Sequence, residues 1–337
     1  MSEPKDIAHE NAEKEIDVLA KKFQSIYSQA NREVQEKLNN YLERFAKQDE
    51  AMLKRLEKGE ITQDEYQKWY QNRVFAGRQW QARLNTLAED YTRANQLAIN
   101  AINGALPEVY ADNFNYAAYL TEKQVRADLG FQLVDRWTVQ RLVKDNPDLL
   151  PAPRVNIPKD ERWNRQKITS VVTQGILQGE GMNKIAKRLK QVTDMNSASA
   201  MRSARTAVNG ARNAGCVDSY KYVQSKGVQM SQTWKAKVDG ITRHSHAAMD
   251  GESIEVGGTF SNGCRYPCDP QGPPEEVYNC RCTMVGHVKG YEKYHSEERM
   301  SKYGSRNHNT NGESYDEWKA RHIAALEEKR RKNGEHS

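Results

Sequence analysis

The sequence predicts an α+β fold that is mainly helical: a long antiparallel helical hairpin at the N-terminus, further helices, and a small C-terminal β-containing module. Three observations predict it. None of the ten prolines lies between Pro4 and Pro107, or between Pro158 and Pro267, so two long stretches lack the strongest helix breaker. In the first stretch, apolar positions recur at a helical period. Near the end, residues 229–288 change texture, with Gly, Pro and Cys separating short strand-like runs. A length of 337 residues sets a soft expectation of two domains. The net charge of +6 is a mild basic excess, and 37% hydrophobic residues keep the chain outside the disordered range. No run of about 18 apolar residues is present, which excludes a helical membrane span. The opening MSEPKDIAHENAEKEID has no apolar core of a secretory signal, and five cysteines make no disulfide scaffold. The expectation is a reducing, intracellular compartment.

The first helix follows Leu19, Phe23, Ile26, Ala30, Val34, Leu38, Tyr41, Phe45, Asp49, Met52 and Leu56, an average step of 3.7 residues. Only a helix keeps such positions on one face. Gly59 is placed to stop it, and Thr62 with Glu65 forms a capping box for the next helix. That helix runs through Tyr66, Trp69, Tyr70, Trp80, Leu84, Leu87, Tyr91, Ala94 and Ala98 and is expected to end near Gly104 and Pro107. The pair makes a hairpin over 5–104, of roughly 60 Å at 1.5 Å per residue. Its aromatic stripe reads as core or partner surface, without site chemistry.

Residues 105–150 are expected to form shorter pieces, with Thr121 and Gln124 as another capping pattern, and they close an elongated helical domain over 1–150. The segment from Asn146 to Pro153 holds three prolines and, with Pro158, marks the domain boundary. Helices then fill 158–225. One starts at Pro158 and stops at Gly179-Glu180-Gly181, a short one spans Asn183–Val192, and a long one spans about Ser197–Ser225. Arg202, Arg205 and Arg212 on the last could mark a basic face for an acidic partner or DNA phosphates, or simply a solvated face. The β-module covers 229–288. A strand contains Trp234, a helical turn follows Asp239-Gly240, a hairpin passes through Gly257-Gly258, and a final strand spans Cys282–Val288. A polar linker and a capped, basic C-terminal helix from Ser314 occupy 289–337.

Chemistry, if any, concentrates in 234–288. Cys264, Cys268, Cys280 and Cys282 fall within 19 residues, with His244 and His246 upstream. Zinc takes four tetrahedral S/N ligands, often from close pairs, and a small loop-rich module gains stability from one. The alternative stays open that these are buried free thiols packed as small hydrophobes. Asp239, His246 and Asp250 make a conceivable acid–base cluster, but read more simply as turn and hairpin organisers. Zinc-deaminase, HExxH, P-loop and GxGxxG patterns are absent.

The ordered set Ala204-Arg205-Thr206, Trp234, Asp239, Thr242-Arg243, His246, Asp250-Gly251 and Asn279-Cys280-Arg281-Cys282 resembles the phage head morphogenesis (MuF-like) family of minor head proteins in tailed phages. The resemblance covers about 160–288. It implies a structural virion protein, not an enzyme, made in the host cytoplasm and placed inside the head near the portal vertex. Portal protein is the implied partner, with scaffold, major capsid protein and phage DNA as further ones, and no membrane. Some relatives carry a Cys-x-x-Cys where this chain has Arg243 and His246. The implied metal set here is therefore His246, Cys280 and Cys282, completed by Cys264, Cys268 or His244, with zinc as the metal. Trp234 would anchor the module's core, Asp239 and Arg243 would bridge a turn, Asp250-Gly251 would turn into the hairpin, and Asn279 and Arg281 would fix the last loop by backbone hydrogen bonds. Some relatives end in toxin domains such as ADP-ribosyltransferases; the residues after Val288 are too few for one. The competing readings are a zinc-dependent enzyme acting on nucleic acid and a DNA-binding accessory.

Overall fold

The computed structural model describes residues 7–72, 78–178, 180, 182–237, 239–291 and 313–334. Gly179, Gly181, Val238 and most of the polar stretch after Lys289 lie outside them, as do the side chains of Trp80, Lys329, Arg330 and Lys332. The elements in order are α1 (Ile7–Glu57), α2 (Gln63–Gln71), α3 (Arg78–Val125), α4 (Arg136–Asp145), α5 (Ile157–Leu177), α6 (Met182–Ser225), β1 (Met230–Lys235), α7 (His244–Ala248), β2 (Ser253–Glu255), α8 (Pro274–Val277), β3 (Thr283–Val288) and α9 (Tyr315–Gly334). The fold is α+β and mainly helical, as the sequence predicts. Among the described residues no helix is long and apolar enough to cross a membrane.

The chain divides into two compact units, neither contiguous in sequence. One comprises 19–101 with 154–201; the other comprises 1–18, 102–153 and 202–337.

In the first unit α1 and α3 run antiparallel. Tyr27 Oη donates to Asn95 Oδ1 (2.9 Å), Tyr91 Oη to Asn31 Oδ1 (3.2 Å), and Lys37 Nζ pairs with Asp90 (2.6 Å). Leu19, Phe23, Val34 and Leu38 are buried, as are Leu84, Leu87, Tyr91 and Ala98. From Tyr41 onward the predicted stripe is only half-buried. Gly59 has φ +73°, which the left-handed stop of a helix requires, and Thr62 and Glu65 form the reciprocal capping box. A buried polar chain links three helices: Asn164 Nδ2 donates to Thr92 Oγ1 (3.1 Å), and Asn196 Nδ2 donates to Asn164 Oδ1 (2.9 Å).

Two expectations about helix ends are corrected. The second hairpin helix does not stop at Gly104 and Pro107; α3 carries Pro107 in its interior and continues to Val125. Burial of Ile102, Leu106, Val109 and Tyr110 around the proline outweighs its cost of about 3 kcal/mol. Thr121 and Gln124 are therefore helix-interior residues and no cap. Thr121 Oγ1 donates to Ala117 O, and Gln124 Oε1 accepts the Val288 N–H. Likewise α6 is one helix of 44 residues, not a short helix and a long one. Val192, Thr193, Asn196 and Ala200 are buried across the expected break, so tertiary packing carries the helix through it.

The second unit holds the sheet. β1 is central in the order β2-β1-β3, with both pairings antiparallel; Thr233 faces Ser253 and Trp234 faces Met284. The expected hairpin through Gly257-Gly258 is absent: β2 precedes those glycines and pairs with β1, after the turn at Asp250-Gly251. At Gly215 of α6 an added Cβ would lie 2.4 Å from Tyr110 O, so α6 and α3 approach backbone to side chain-free backbone there. Tyr110 Oη donates to Asp218 Oδ2 (2.7 Å). The C-terminal helix is capped at Ser314 as predicted, and Glu317 completes the capping box. It docks on the end of α3 through Trp318, whose Nε1 donates to the buried Glu122 carboxylate (2.7 Å). Burial raises the Glu122 carboxyl above the usual range.

Candidate functional site

The Cys-rich loops close over the Trp234 side of the sheet. Trp234 is fully buried and meets two rings edge-on, Phe260 at 5.2 Å and His246 at 5.4 Å between centroids. Met249, Cys264, Cys268, Val277, Cys280 and Cys282 complete this core. The anchoring role expected of Trp234 is what the structure displays. All five cysteines are unbridged thiols, and all but Cys216 are buried.

α7 presents His246, 2% exposed, to the Cys-x-Cys segment. His246 Nδ1 lies 3.3 Å from Cys282 Sγ and 3.5 Å from Cys280 Sγ. These three ligand atoms all lie within 4.8 Å of one another. The other ring nitrogen, Nε2, is 2.8 Å from Glu276 Oε2 on α8, although the contact is not aligned as a hydrogen bond. The Cys268 thiol donates to Cys280 O (3.3 Å). Cys264 stands apart. Its neighbours are Gly272, where a Cβ would sit 2.5 Å from its Sγ, and the Asp269 and Glu276 carboxylates. His244 is exposed and outside the cluster.

The electrostatics hold the Cys264, Cys280 and Cys282 thiols protonated. Hydrogen bonding with Cys268 is the first cause that raises Cys280; hydrogen bonding with Cys280 and then burial raise Cys282. Burial pushes the Cys264 thiol up to about 12. This is the opposite of the electropositive, exposed setting that makes a cysteine nucleophilic.

α6 positions the loop. Thr206, Asn209, Gly210 and Asn213, at i, i+3, i+4 and i+7, share one helical face. Thr206 Oγ1 accepts the Asn279 N–H (2.8 Å), and Asn209 Nδ2 donates to Cys280 O (2.9 Å). Asn213 Nδ2 donates to Pro267 O (2.9 Å) and Cys282 O (3.4 Å). A Cβ on Gly210 would lie 2.9 Å from Cys268 O, so only glycine lets that carbonyl approach the helix. Asparagine in a buried helix interior is a poor helix former, so Asn209 and Asn213, four residues apart, carry a visible signal of this role in the sequence.

The remaining predicted site residues are placed as follows. Asp239 pairs bidentately with Arg281 (2.5 and 2.6 Å), not with Arg243. Arg243 donates to Tyr278 O, because the short α7 places it beside α8 rather than across its own turn. Arg281 thus fixes its loop through a side-chain ion pair, in place of the expected backbone hydrogen bonds. Asn279 has φ +56° and uses its backbone N–H, as predicted. Asp250 Oδ1 accepts the Ala236 N–H (2.9 Å), and Gly251, at φ +85°, donates to Trp234 O. Asp239, His246 and Asp250 therefore have separate partners and make no acid–base triad. Arg205 and Arg202 are exposed while Arg212 is buried, so the three arginines do not form one basic face.

A family model described as Phage Mu protein F like protein matches residues 166–285, from within α5 to within β3. The chain is similar to "Minor head protein GP7" of Bacillus phage SPP1, 24% identical over 273 residues, 80% of this chain and 82% of that protein. It is also similar to "NAD(+)--arginine ADP-ribosyltransferase EFV" of Enterococcus faecalis (strain ATCC 700802 / V583), 28% identical over 174 residues, 50% of this chain but only 34% of that protein. No solved structure matches. The matched stretch nearly coincides with the 160–288 expected from the motifs and contains the α6 face, Trp234, His246 and the Cys-x-Cys loop, so the likeness to the Phage Mu protein F like family lies in the stretch that holds the candidate site.

Proposed function

We propose that the chain is a structural minor head protein of a tailed phage, placed inside the head at the portal vertex, where it binds the portal protein and supports capsid assembly. The observation that carries this reading is the similarity to the SPP1 minor head protein across four-fifths of both chains. That similarity exceeds the family domain by at least 150 residues, the difference between 273 aligned and 120 matched by the family model, so it takes in helical regions as well. Scaffold and major capsid protein are the further partners of such a role, and the protein is assembled in the host cytoplasm before it is enclosed in the virion. A net charge of +6 over 337 residues favours weak contacts with packaged DNA over tight binding.

The partial match to an ADP-ribosyltransferase supports a shared segment and not a shared reaction, because two-thirds of that enzyme lies outside it. Mass spectrometry of purified procapsids and virions, with a pulldown on portal complexes, tests the proposal. The expected result is the protein in both particles at low copy number and retained on portal. Absence from both particles would overturn the head role; presence in particles without portal binding would overturn the vertex assignment alone.

A further inference from the structure

The His246 cluster has the geometry of a metal centre. In a tetrahedral zinc site with Zn–S about 2.3 Å and Zn–N about 2.0 Å, a sulfur and a nitrogen lie about 3.5 Å apart. His246 Nδ1 stands 3.3 and 3.5 Å from the two sulfurs, and the three atoms lie within 4.8 Å of one another. Thiol hydrogen bonding alone accounts for this less well. The Glu276 carboxylate beside Nε2 favours the tautomer with the proton on that nitrogen, which leaves Nδ1 one lone pair facing two thiols. A cation bound by both sulfurs and Nδ1 uses all three groups.

The surroundings support the same conclusion. Histidine ligands commonly present their second nitrogen to a carboxylate that fixes the ring, the position Glu276 occupies. Glu276 Oε2 is itself held by Ser245 Oγ (3.1 Å) and Asn262 Nδ2 (3.5 Å). The Cys282 N–H donates to Cys280 Sγ (3.4 Å), a bond that favours a thiolate there. Asn209 and Asn213 pin the carbonyls of Cys280 and Cys282, so the Cys-x-Cys segment is held before any ligand arrives. The residue between the cysteines, Arg281, is drawn outward by Asp239, which turns both sulfurs inward.

We propose that His246 Nδ1, Cys280 Sγ, Cys282 Sγ and Cys268 Sγ bind one structural Zn²⁺, with Glu276 as the outer partner of His246, and that Cys264 is not a ligand. Cys268 is the fourth ligand because its Sγ already lies 3.3 Å from the Cys280 carbonyl, whereas Cys264 Sγ packs against Gly272. Binding converts three thiols to thiolates and releases three protons, and the imidazole binds through its Nδ1 lone pair. Four protein ligands leave no open position, which makes the site structural rather than catalytic.

The test uses the full chain purified from zinc-supplemented cells. Elemental analysis is expected to give one zinc per chain. Exchange for Co²⁺ is expected to give the strong visible bands of a tetrahedral site and a thiolate charge-transfer band, which count sulfur ligands without any mutation. Cys268→Ser, Cys280→Ser, Cys282→Ser and His246→Ala should each lose most of the zinc, and Cys264→Ser should keep it. No stoichiometric zinc and no cobalt spectrum in folded wild-type protein would overturn the site. So would a non-reducing intact mass 2 Da low, which marks a disulfide in its place. Zinc lost in Cys264→Ser but kept in Cys268→Ser would overturn the ligand assignment.

Discussion

Asn213 holds the Cys-rich loops at two points. It is 1% exposed, and its amide reaches two carbonyls, one on each side of the cysteine cluster. Asn213→Ala leaves both acceptors buried without a donor, at a cost of about 1–3 kcal/mol. A drop in the denaturation midpoint of the full chain, with far-UV helix signal unchanged, checks this. Asp239 acts differently, because its partner is electrostatic. The Arg281 hydrogen bonds hold its carboxyl far below the usual carboxylate range. A carboxylate whose folded value is depressed contributes stability that is present above its unfolded value, near pH 4, and is lost as pH falls toward the folded one. Asp239→Asn is therefore expected to melt lower than wild type at pH 7, with the gap narrowing below about pH 4. The pair is reached by solvent, so the gap is small and shrinks with added salt. Melting curves of both proteins from pH 7 to pH 3, at two ionic strengths, measure it.

At the scale of elements, two glycines in helices have opposite meanings. Gly215 meets the Tyr110 carbonyl, and Phe114 N lies 3.1 Å from the same Cβ position. Gly215→Ala must force α6 and α3 apart and is expected to cost about 1–3 kcal/mol. Gly104 is exposed in α3 with nothing within 4 Å of its Cβ position. Gly104→Ala is expected to gain about 0.5–1 kcal/mol from helix propensity alone. Thermal melts of the two variants beside wild type should move in opposite directions. The same contrast marks what was legible in the sequence. Periodicity reported α1 and α3, and local caps reported Gly59, Thr62 and Ser314, because both signals arise within a few residues. Pro107 inside α3, the unbroken α6 and the β2-β1-β3 order were not legible. Each is decided by burial against residues distant in sequence. The site divides in the same way. His246 and the Cys-x-Cys pair were visible as residue types, while Glu276, Asn209 and Asn213 were not, since their partners lie 30 to 71 residues away.

For the whole molecule, the discontinuity of the two units governs how the chain can be cut. The proline-rich segment at 147–158 looks like a linker, and the family domain that begins at 166 invites expression of that domain alone. The contacts argue against it. Tyr110 packs at Gly215 and bonds Asp218; Gln124 closes the end of β3 at Val288; Tyr222 Oη donates to Gly130 O; and Phe131 packs on the Tyr222 ring at 4.9 Å. All of these link residues 102–153 to the rest of the sheet-bearing unit, and a fragment over 154–291 lacks every one of them. It would expose the buried Ala-rich face of α6 around Ala204, Ala207, Ala211 and Ala214 to water. The expected outcome is that 154–291 alone aggregates or melts well below the full chain. Co-expression of 1–153 with 154–337 should restore a soluble pair that co-elutes, because the break falls in a coil between α4 and α5 and severs no element. A soluble, cooperatively melting 154–291 fragment would show instead that the family domain folds on its own and that α3 is an accessory to it; size-exclusion chromatography and calorimetry of the fragment decide between the two.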